Sequence, residues 1–249
     1  MRTIVVGASS GLGRCIGVGL AKRGSQVALL ARRRDKLEGA AAEAGAGALA
    51  VECDVTDEAS VRAAIAKAAA ELGGIDALVY ATGIGPLVKL ADTDAATWRR
   101  AFDTNVTGAA LVTAAALPHL TESTGTAVYL SSVSASMTPP WPGLGAYAVS
   151  KAALDKLVEA WRVEHPDLGF TRLVVGDCAG GEGDAMTGFA SDWDPALAVE
   201  LTTDWYRRKY IAGAFIDPDH LVATVAAVLE AGPSVSLPSV TVYPRVPGT

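Results

Sequence analysis

The stretch Thr3-Ile4-Val5-Val6-Gly7-Ala8-Ser9-Ser10-Gly11-Leu12-Gly13-Arg14 decides the fold of this chain. Its first residues form an apolar run typical of a buried strand, and an amphipathic segment continues from the glycines to about Lys22. In such a strand, turn and helix, glycines let backbone amides approach a pyrophosphate at the helix N-terminus. The stretch therefore predicts a dinucleotide site at Gly7, Ser9, Ser10, Gly11, Leu12 and Gly13.

The rest of the chain continues this alternation of strands and helices. Apolar runs at 26–30, 48–52, 75–80, 126–130, 171–175 and 239–243 are predicted strands, and amphipathic segments lie between them. The 249 residues contain no linker, repeat or low-complexity break. We therefore expect one α/β domain over residues 1–249, with a Rossmann-type doubly wound parallel sheet of about seven strands and helices on both faces.

Composition narrows the possible partners to small molecules. A net charge of -6 and a pI near 5.1 give no basic surface for nucleic acid or anionic lipid. No run approaches the roughly 18 apolar residues of a membrane span, and the first strand follows Met1 too closely for a cleavable signal. The cysteines and histidines have no metal-like spacing, so we expect no metal and reduced thiols in a cytoplasmic protein. These residues are Cys15, Cys53, Cys178, His119, His165 and His220.

A second motif is Tyr147-Ala-Val-Ser-Lys151, which begins a predicted helix after a loop rich in proline and glycine. Residues four apart lie on one helix face. An ammonium beside a phenol favours the phenolate, so we expect Lys151 to lower the pKa of Tyr147 towards neutral pH. Taken alone, the spacing is common on solvated helix faces. The dinucleotide motif upstream is what makes a catalytic role for this pair the better interpretation.

The opening resembles that of the short-chain dehydrogenase/reductase family, whose pattern is Thr-Gly-x-x-x-Gly-x-Gly, with Val6 in the place of the threonine. The resemblance covers roughly residues 2–245. It implies that Tyr147 is the general acid/base, that Lys151 holds the nicotinamide ribose, and that Ser132 hydrogen-bonds the substrate oxygen. It also implies that Asn105 positions a water in the proton relay. Asn105 could instead be a surface or kink residue.

The catalytic serine has a competitor two residues further along the chain. Ser132 lies 15 residues before Tyr147, two more than is usual in the family, whereas Ser134 has the ordinary interval of 13. We attribute the two extra residues to the proline-rich loop at 137–143 and assign Ser132. Ser134 remains the alternative.

The end of the second predicted strand bears on the choice of cofactor. An acidic residue there binds the ribose of NAD, whereas arginine accommodates the 2′-phosphate of NADP. Ala31 is followed by Arg32 and Arg33, so we expect NADP, with NAD less favoured. The resemblance implies that Asp54 and Val55 meet the adenine, although Asp54 could serve only its local turn.

Two segments depart from the family pattern. Residues 80–83 read Tyr-Ala-Thr-Gly in place of Asn-Asn-Ala-Gly, and residues 176–181 replace a usual Pro-Gly. The resemblance still implies that Ala81, Thr82 and Gly83 line the nicotinamide ribose. It also implies a substrate lid at 182–216, although ordinary amphipathic helices packed on the sheet would give the same pattern.

The expected function is hydride transfer between NADP and an apolar carbonyl compound or secondary alcohol. A non-catalytic NADP-binding sensor or scaffold is the alternative, because the departures at 80–83 and 176–181 would allow it. A sugar-nucleotide epimerase is disfavoured, since such relatives carry a different glycine spacing and a further substrate domain. The resemblance also implies a homodimer or homotetramer built on the predicted helices at 94–120 and 145–165.

Overall fold

The computed structural model describes residues 1–181, 183, 186–211 and 213–245. Its strands are β1 (Arg2–Val6), β2 (Gln26–Ala31), β3 (Leu49–Glu52), β4 (Ala77–Tyr80), β5 (Thr126–Ser132), β6 (Gly169–Val175) and β7 (Ser239–Val242). They form one sheet in the order β3-β2-β1-β4-β5-β6-β7, and every neighbouring pair is parallel. The predicted parallel sheet of seven strands is confirmed.

Helices cover both faces of this sheet. They are α1 (Gly11–Lys22), α2 (Arg34–Ala44), α3 (Glu58–Leu72), α4 (Ala95–Phe102), α5 (Gly108–Ser123), α6 (Val133–Ser136), α7 (Gly145–Glu164), α8 (Pro195–Arg207) and α9 (Pro218–Leu229). Residues of α1, α2 and α9 form the core on one face, and residues of α3, α5 and α7 form the core on the other. Burial on both faces explains why the central strands are continuous apolar runs.

The order of the strands fixes where a ligand can bind. β1 lies between β2 and β4, because the chain builds outward to β3 and then returns to the other side of β1. In open parallel sheets, ligands bind at such a switch point, outside the carboxyl ends of the strands. The glycine loop, which directly follows β1, therefore lies at the centre of the expected crevice.

The predicted long helix from about Asp94 towards Leu120 is interrupted. A π-helical segment, Asp103–Thr107, separates α4 from α5. A π turn adds a residue to the helical hydrogen-bonded loop and is frequent at functional sites. Asn105 lies in this segment. The sequence pattern therefore places the helix correctly but misses the change of winding around Asn105.

The predicted lid contains α8 and packs on the body of the protein. Leu201 and Trp205 of α8 form a small third core with Leu87 and Leu144. Residues 182, 184, 185 and 212 of the lid lie outside the described part of the chain. The packing of α8 fits ordinary helices on the body of the protein, and the role of 182–216 as a substrate lid stays a prediction.

Among the described residues, none of the helices is both long enough and apolar enough to cross a bilayer. Nor do three histidine, cysteine or acidic side chains in this part of the chain gather as metal ligands.

Candidate active site

A glycine-lined cradle joins β1 to α1. Gly7 has a φ of +91°, and a Cβ added there would lie 2.7 Å from the main-chain nitrogen of Thr82. A Cβ added at Gly13 would lie 2.3 Å from the carbonyl oxygen of Gly7. Both distances are shorter than side chains tolerate, so these two positions require glycine. The loop leads directly into the N-terminus of α1, where free backbone N–H groups favour an anion.

The two arginines after β2 stand beside this cradle. One terminal nitrogen of Arg33 donates to the hydroxyl of Ser9 at 2.9 Å and to the hydroxyl of Ser10 at 2.6 Å. Arg32 is exposed next to it. The structure thus brings the predicted cations and the predicted phosphate loop together at one end of the crevice.

Asp54 serves the turn that follows β3. Its Oδ1 accepts hydrogen bonds from the backbone N–H of Thr56 at 2.9 Å and from the Thr56 hydroxyl at 2.8 Å. Partial burial would raise the pKa of Asp54, but the bonds from Thr56 and the charge of Arg32 bring it below its usual value. The local turn role is therefore present, and contact with adenine stays a prediction.

Tyr147, Lys151 and Ser132 converge at the carboxyl edge of the sheet. Tyr147 lies in the first turn of α7, and the Nζ of Lys151 lies 5.9 Å from the centre of its ring. Lys151 is 4% exposed, and its ammonium donates to the carbonyl oxygen of Leu130 at 2.7 Å. The Oγ of Ser132 lies 2.9 Å from the Oγ of Ser134.

The expectation that Lys151 lowers the pKa of Tyr147 is wrong in this structure. Burial raises the pKa of Tyr147, and the interaction with Ser132 only partly offsets it. Burial also lowers the pKa of Lys151 to about 8, against the attraction of Asp155. Both side chains are removed from water, and the Lys151 ammonium donates its hydrogen bond to the Leu130 carbonyl. The effect of this desolvation on each pKa is therefore larger than the effect of one group on the other.

The interaction of Tyr147 with Ser132 bears on the choice between the two serines. Ser132 is the serine whose side chain affects the pKa of Tyr147. Ser134 instead contacts Ser132, and its backbone N–H also donates to the Ser132 Oγ at 3.3 Å. The effect on the pKa of Tyr147 therefore favours Ser132, although both serines line the crevice.

Asn105 is fully buried and links two elements of the site. Its side-chain oxygen accepts from the backbone N–H of Ile84 at 2.9 Å, while its nitrogen donates to the Ile84 carbonyl at 2.9 Å and to the Ser150 hydroxyl at 2.8 Å. A Cβ added at Gly83 would lie 3.2 Å from the Lys151 Nζ and 3.5 Å from the Asn105 oxygen. Asn105 therefore fixes the loop after β4 against α7, and neither a surface nor a simple kink role describes it.

Tyr80 is a site-supporting residue that the sequence reasoning did not identify. Its buried hydroxyl donates to the main-chain oxygen of Thr104 at 2.5 Å, next to Asn105 in the π segment. A Cβ at Gly108 would lie 2.8 Å from this hydroxyl. The sequence shows that tyrosine replaces asparagine at position 80. It does not show that the Tyr80 hydroxyl bonds a residue 24 positions away.

Aromatic side chains from the lid cover the reacting end of the crevice. The ring of Phe189 meets that of Tyr147 edge-on, with 5.1 Å between their centres, and also lies against Trp193. The Nε1 of Trp193 donates to the carbonyl oxygen of Gly85 at 2.8 Å, which ties the lid to the loop after β4. Trp141, from the proline-rich loop, completes this apolar wall.

The altered segment 176–181 contributes to the same crevice. Gly176, Asp177, Cys178 and Gly180 all line it. The Cys178 thiol donates to the carbonyl oxygen of Ile216 at 3.3 Å. Burial raises the pKa of Cys178 to about 12. This thiol therefore stays protonated at neutral pH and is a poor nucleophile.

These features belong to one crevice of about 640 Å³. Every predicted site residue except Asn105 lines this crevice. These predicted residues are Gly7, Ser9, Ser10, Gly11, Leu12, Gly13, Arg32, Arg33, Asp54, Val55, Ala81, Thr82, Gly83, Ser132, Tyr147 and Lys151. The glycine cradle and adjacent cations fit a dinucleotide, and the arrangement is typical of dinucleotide-binding α/β proteins.

Comparison with known proteins places the chain in a family. A family model described as short chain dehydrogenase matches residues 2–181. The glycine betaine reductase ATRR of Emericella nidulans is 31% identical over 97% of this chain, which corresponds to 18% of that protein. The cis-4-hydroxycyclohexanecarboxylate dehydrogenase of Sinomonas cyclohexanicum is 36% identical over 65% of this chain and 66% of that protein. The chain thus spans less than two thirds of both relatives.

A solved structure of similar extent also matches. The 3-ketoacyl-(acyl-carrier-protein) reductase from Brucella melitensis, complexed with NADH, is 25% identical and has a TM-score of 0.78 over 96% of each chain. The chain belongs to the short-chain dehydrogenase/reductase family of oxidoreductases, as its opening motif predicted. Family membership supports a nicotinamide dinucleotide as the cofactor.

Proposed function

We propose that this protein is an NADP-dependent oxidoreductase that transfers hydride between the nicotinamide and a carbonyl or secondary alcohol carbon, with Tyr147 as general acid/base. The observation that supports it is the single crevice in which a glycine cradle meets Tyr147, Lys151 and Ser132. Bound NADP(H) would supply or accept the hydride. The side chains bind, orient and move the proton.

The state of Tyr147 favours carbonyl reduction near neutral pH. Since burial raises its pKa, the phenol keeps its proton and can donate it to a carbonyl oxygen. Ser132, beside the phenol, would hydrogen-bond the same oxygen as negative charge develops there. Lys151 has two N–H donors beyond the one bound by Leu130, and these would hold the nicotinamide ribose. Asn105 keeps the loop that carries Gly83 next to Lys151, where an ordered water would complete the relay.

The residues at the end of β2 support NADP over NAD. Ala31 offers no carboxylate for a ribose 2′-hydroxyl, whereas Arg32 and Arg33 offer charge-assisted donors to a 2′-phosphate. Arg33 already contacts the cradle through Ser9 and Ser10, so it is oriented before the cofactor binds.

An apolar substrate is supported by the aromatic wall. Phe189, Trp141 and Leu144 line the crevice near Tyr147, and pockets of this kind bind ligands chiefly through apolar surface. We therefore propose a bulky apolar ketone or secondary alcohol, covered by the segment 182–216 as a lid.

Assembly and location are further parts of the proposal. The exposed apolar side chains Val149 and Val163 lie on α7, and they support a homodimer or homotetramer formed through α7 and the α4–α5 region. The three cysteines are unpaired thiols with pKa values raised mainly by burial, which supports a cytoplasmic protein.

A panel of carbonyl and alcohol substrates, assayed with NADP(H) and NAD(H) in parallel, tests the proposal. We expect NADPH oxidation with apolar ketones, and a kcat at least about 100-fold lower for Tyr147→Phe with NADPH binding retained. Near-normal turnover by Tyr147→Phe would refute the role of the phenol. Tight NADPH binding without turnover across the panel would favour the non-catalytic sensor or scaffold.

A further inference from the structure

A buried carboxylate stands one helical turn beyond Lys151. Asp155 lies on the face of α7 that packs against the sheet, and the residue is 5% exposed. Within the described part of the chain, neither of its side-chain oxygens has a hydrogen-bond partner. A buried ionised carboxylate without donors is costly to fold. The presence of this carboxylate close to Lys151 therefore needs an explanation.

Three elements place polar or charged groups around this carboxylate. Lys151 lies one turn earlier on α7, and its charge acts on the pKa of Asp155. The Nη1 of Arg172 on β6 lies 3.8 Å from its Oδ2. Ser131 on β5 influences the pKa of Asp155, although the two side chains do not reach hydrogen-bond geometry. On the same helix, Glu159 is also affected by Arg172 but is paired with Lys156 at the surface.

Arg172 is a weak explanation for the burial of Asp155. The guanidinium is 40% exposed, and the contact is long. Partly exposed ion pairs of this kind contribute little to stability. Lys151, by contrast, is as deeply buried as Asp155 and lies four residues earlier on the same face, the spacing at which helical side chains are neighbours.

The two buried groups act on each other in opposite directions. Burial lowers the pKa of Lys151 to about 8, and the negative charge of Asp155 opposes this change. Burial raises the pKa of Asp155, and Ser131, Arg172 and Lys151 oppose that change in decreasing order. Asp155 is thus the charged group that opposes the fall in the pKa of Lys151.

We propose that Asp155 is a positioning residue whose buried carboxylate keeps Lys151 in its ammonium form beneath the active site. The role of Asp155 in catalysis rests on the proposed function, since Asp155 acts through the contact of Lys151 with the nicotinamide ribose. The charge relation between the two side chains is a property of the folded chain and can be measured without substrate.

Asp155→Asn is the direct test, with Glu159→Gln as the matched control. Both variants exchange a carboxylate for an amide on α7, but the Glu159 side chain is 46% exposed and pairs with Lys156. The Lys151 titration is followed in protein labelled at lysine 13Cε, with the resonance assigned by its loss in Lys151→Met. In Asp155→Asn we expect the pKa of Lys151 to fall by about one pH unit. Glu159→Gln should leave it unchanged.

The pH profile of kcat/KM supplies a second reading. Lys151 loses its charge as pH rises, so the alkaline limb of the Asp155→Asn profile should move to lower pH by the same amount. Activity should return towards the wild-type level in more acidic buffer. A purely structural role would lower activity at every pH. An unchanged Lys151 titration in folded Asp155→Asn, or an equal shift in Glu159→Gln, would overturn the proposal.

A measurement on the intact carboxylate covers the case in which Asp155→Asn does not fold. The Asp155 13Cγ resonance of the wild-type protein should show a second inflection at the pKa of Lys151, because coupled sites titrate together. Lys151→Met should remove this inflection. Its absence from the wild-type protein would refute the coupling even if the protein proved to be an active NADP-dependent reductase.

Discussion

The hydroxyl of Tyr80 lies 2.5 Å from the main-chain oxygen of Thr104 and thereby ties the end of β4 to the π-helical segment that carries Asn105. Position 80 holds asparagine in the family pattern, so this chain reaches a supporting contact with a different side chain. The bond anchors the backbone beside Asn105, which in turn holds Ile84 and Ser150.

Tyr80→Phe should weaken both the fold and the site. The Thr104 oxygen loses its donor inside the core, so we expect the free energy of unfolding to fall by about 1–3 kcal/mol, measured by urea denaturation. We also expect kcat to fall because Asn105 is no longer fixed. Tyr129→Phe is the control, since Tyr129 is equally buried and its hydroxyl bonds the Thr113 Oγ1 of α5 at 2.7 Å, not the π-helical segment. Equal losses of kcat in the two variants would argue against a local role for Tyr80.

The serine assignment can be decided with two alanine variants. Ser132→Ala should lower kcat by at least about 100-fold, as expected when a donor to a developing oxyanion is removed. Ser134→Ala should have a smaller effect, because Ser134 bonds Ser132, whereas Ser132 is the serine that affects the pKa of Tyr147. Steady-state kinetics with NADPH and the best ketone of the panel measures both. The reverse order of effects would transfer the catalytic role to Ser134.

Arginine 33 should govern the choice of cofactor. In Arg33→Ala we expect KM for NADPH to rise about tenfold or more, from the loss of a charge-assisted hydrogen bond to phosphate. KM for NADH should change little. Arg34→Ala is the matched control, because Arg34 is the next residue and pairs with Glu38 at 2.9 Å on the surface. Parallel losses with both cofactors would instead show that Arg33 mainly braces Ser9 and Ser10.

The buried ammonium of Lys151 should make the stability of the protein depend on pH in the alkaline range. The folded-state pKa of about 8 lies below the usual lysine pKa of 10.5, so the unfolded state binds more protons between these two pH values. Wild-type stability should therefore rise with pH from about 8 to 10.5, and the full cost of burying the charge is present below pH 8.

Lys151→Met removes that charge. We expect the stability of this variant relative to the wild-type protein to fall by roughly 3 kcal/mol as pH rises from 8 to 10.5, because only the wild-type protein is relieved of a buried charge over this range. Activity should be lost throughout. Urea midpoints between pH 7 and 9.5 measure the trend. A stability difference independent of pH would contradict the depressed pKa of Lys151.

Much of the fold could be predicted from local patterns. The strand, glycine turn and helix at residues 2–22 fixed the switch point, and the spacing of Tyr147 and Lys151 placed both on one face of α7. These features repeat over a few residues, so the sequence displays them directly. The cleft then follows from the order of parallel strands.

The features that escaped prediction depend on distant partners or on burial. The hydroxyl of Tyr80 finds its acceptor 24 residues away, and the π segment has no distinct residue pattern. The sign of the Tyr147 pKa shift depends on how far desolvation exceeds nearby charge, which only the packed structure shows. One signal was available in the sequence: Asp155 follows Lys151 by four residues, between the apolar positions Leu154 and Val158.

The contact of Phe189 with Gly85 has a practical consequence for engineering. A Cβ at position 85 would lie 2.1 Å from the Phe189 ring, so that ring occupies the full space above a bare backbone. Lys151, Ser132 and the cradle line the same crevice but belong to other segments of the chain. Trimming this one aromatic residue would enlarge the room for bulkier compounds, but it would also remove a ring that packs against Tyr147, so libraries at position 189 should be screened for new specificities and for retained turnover together.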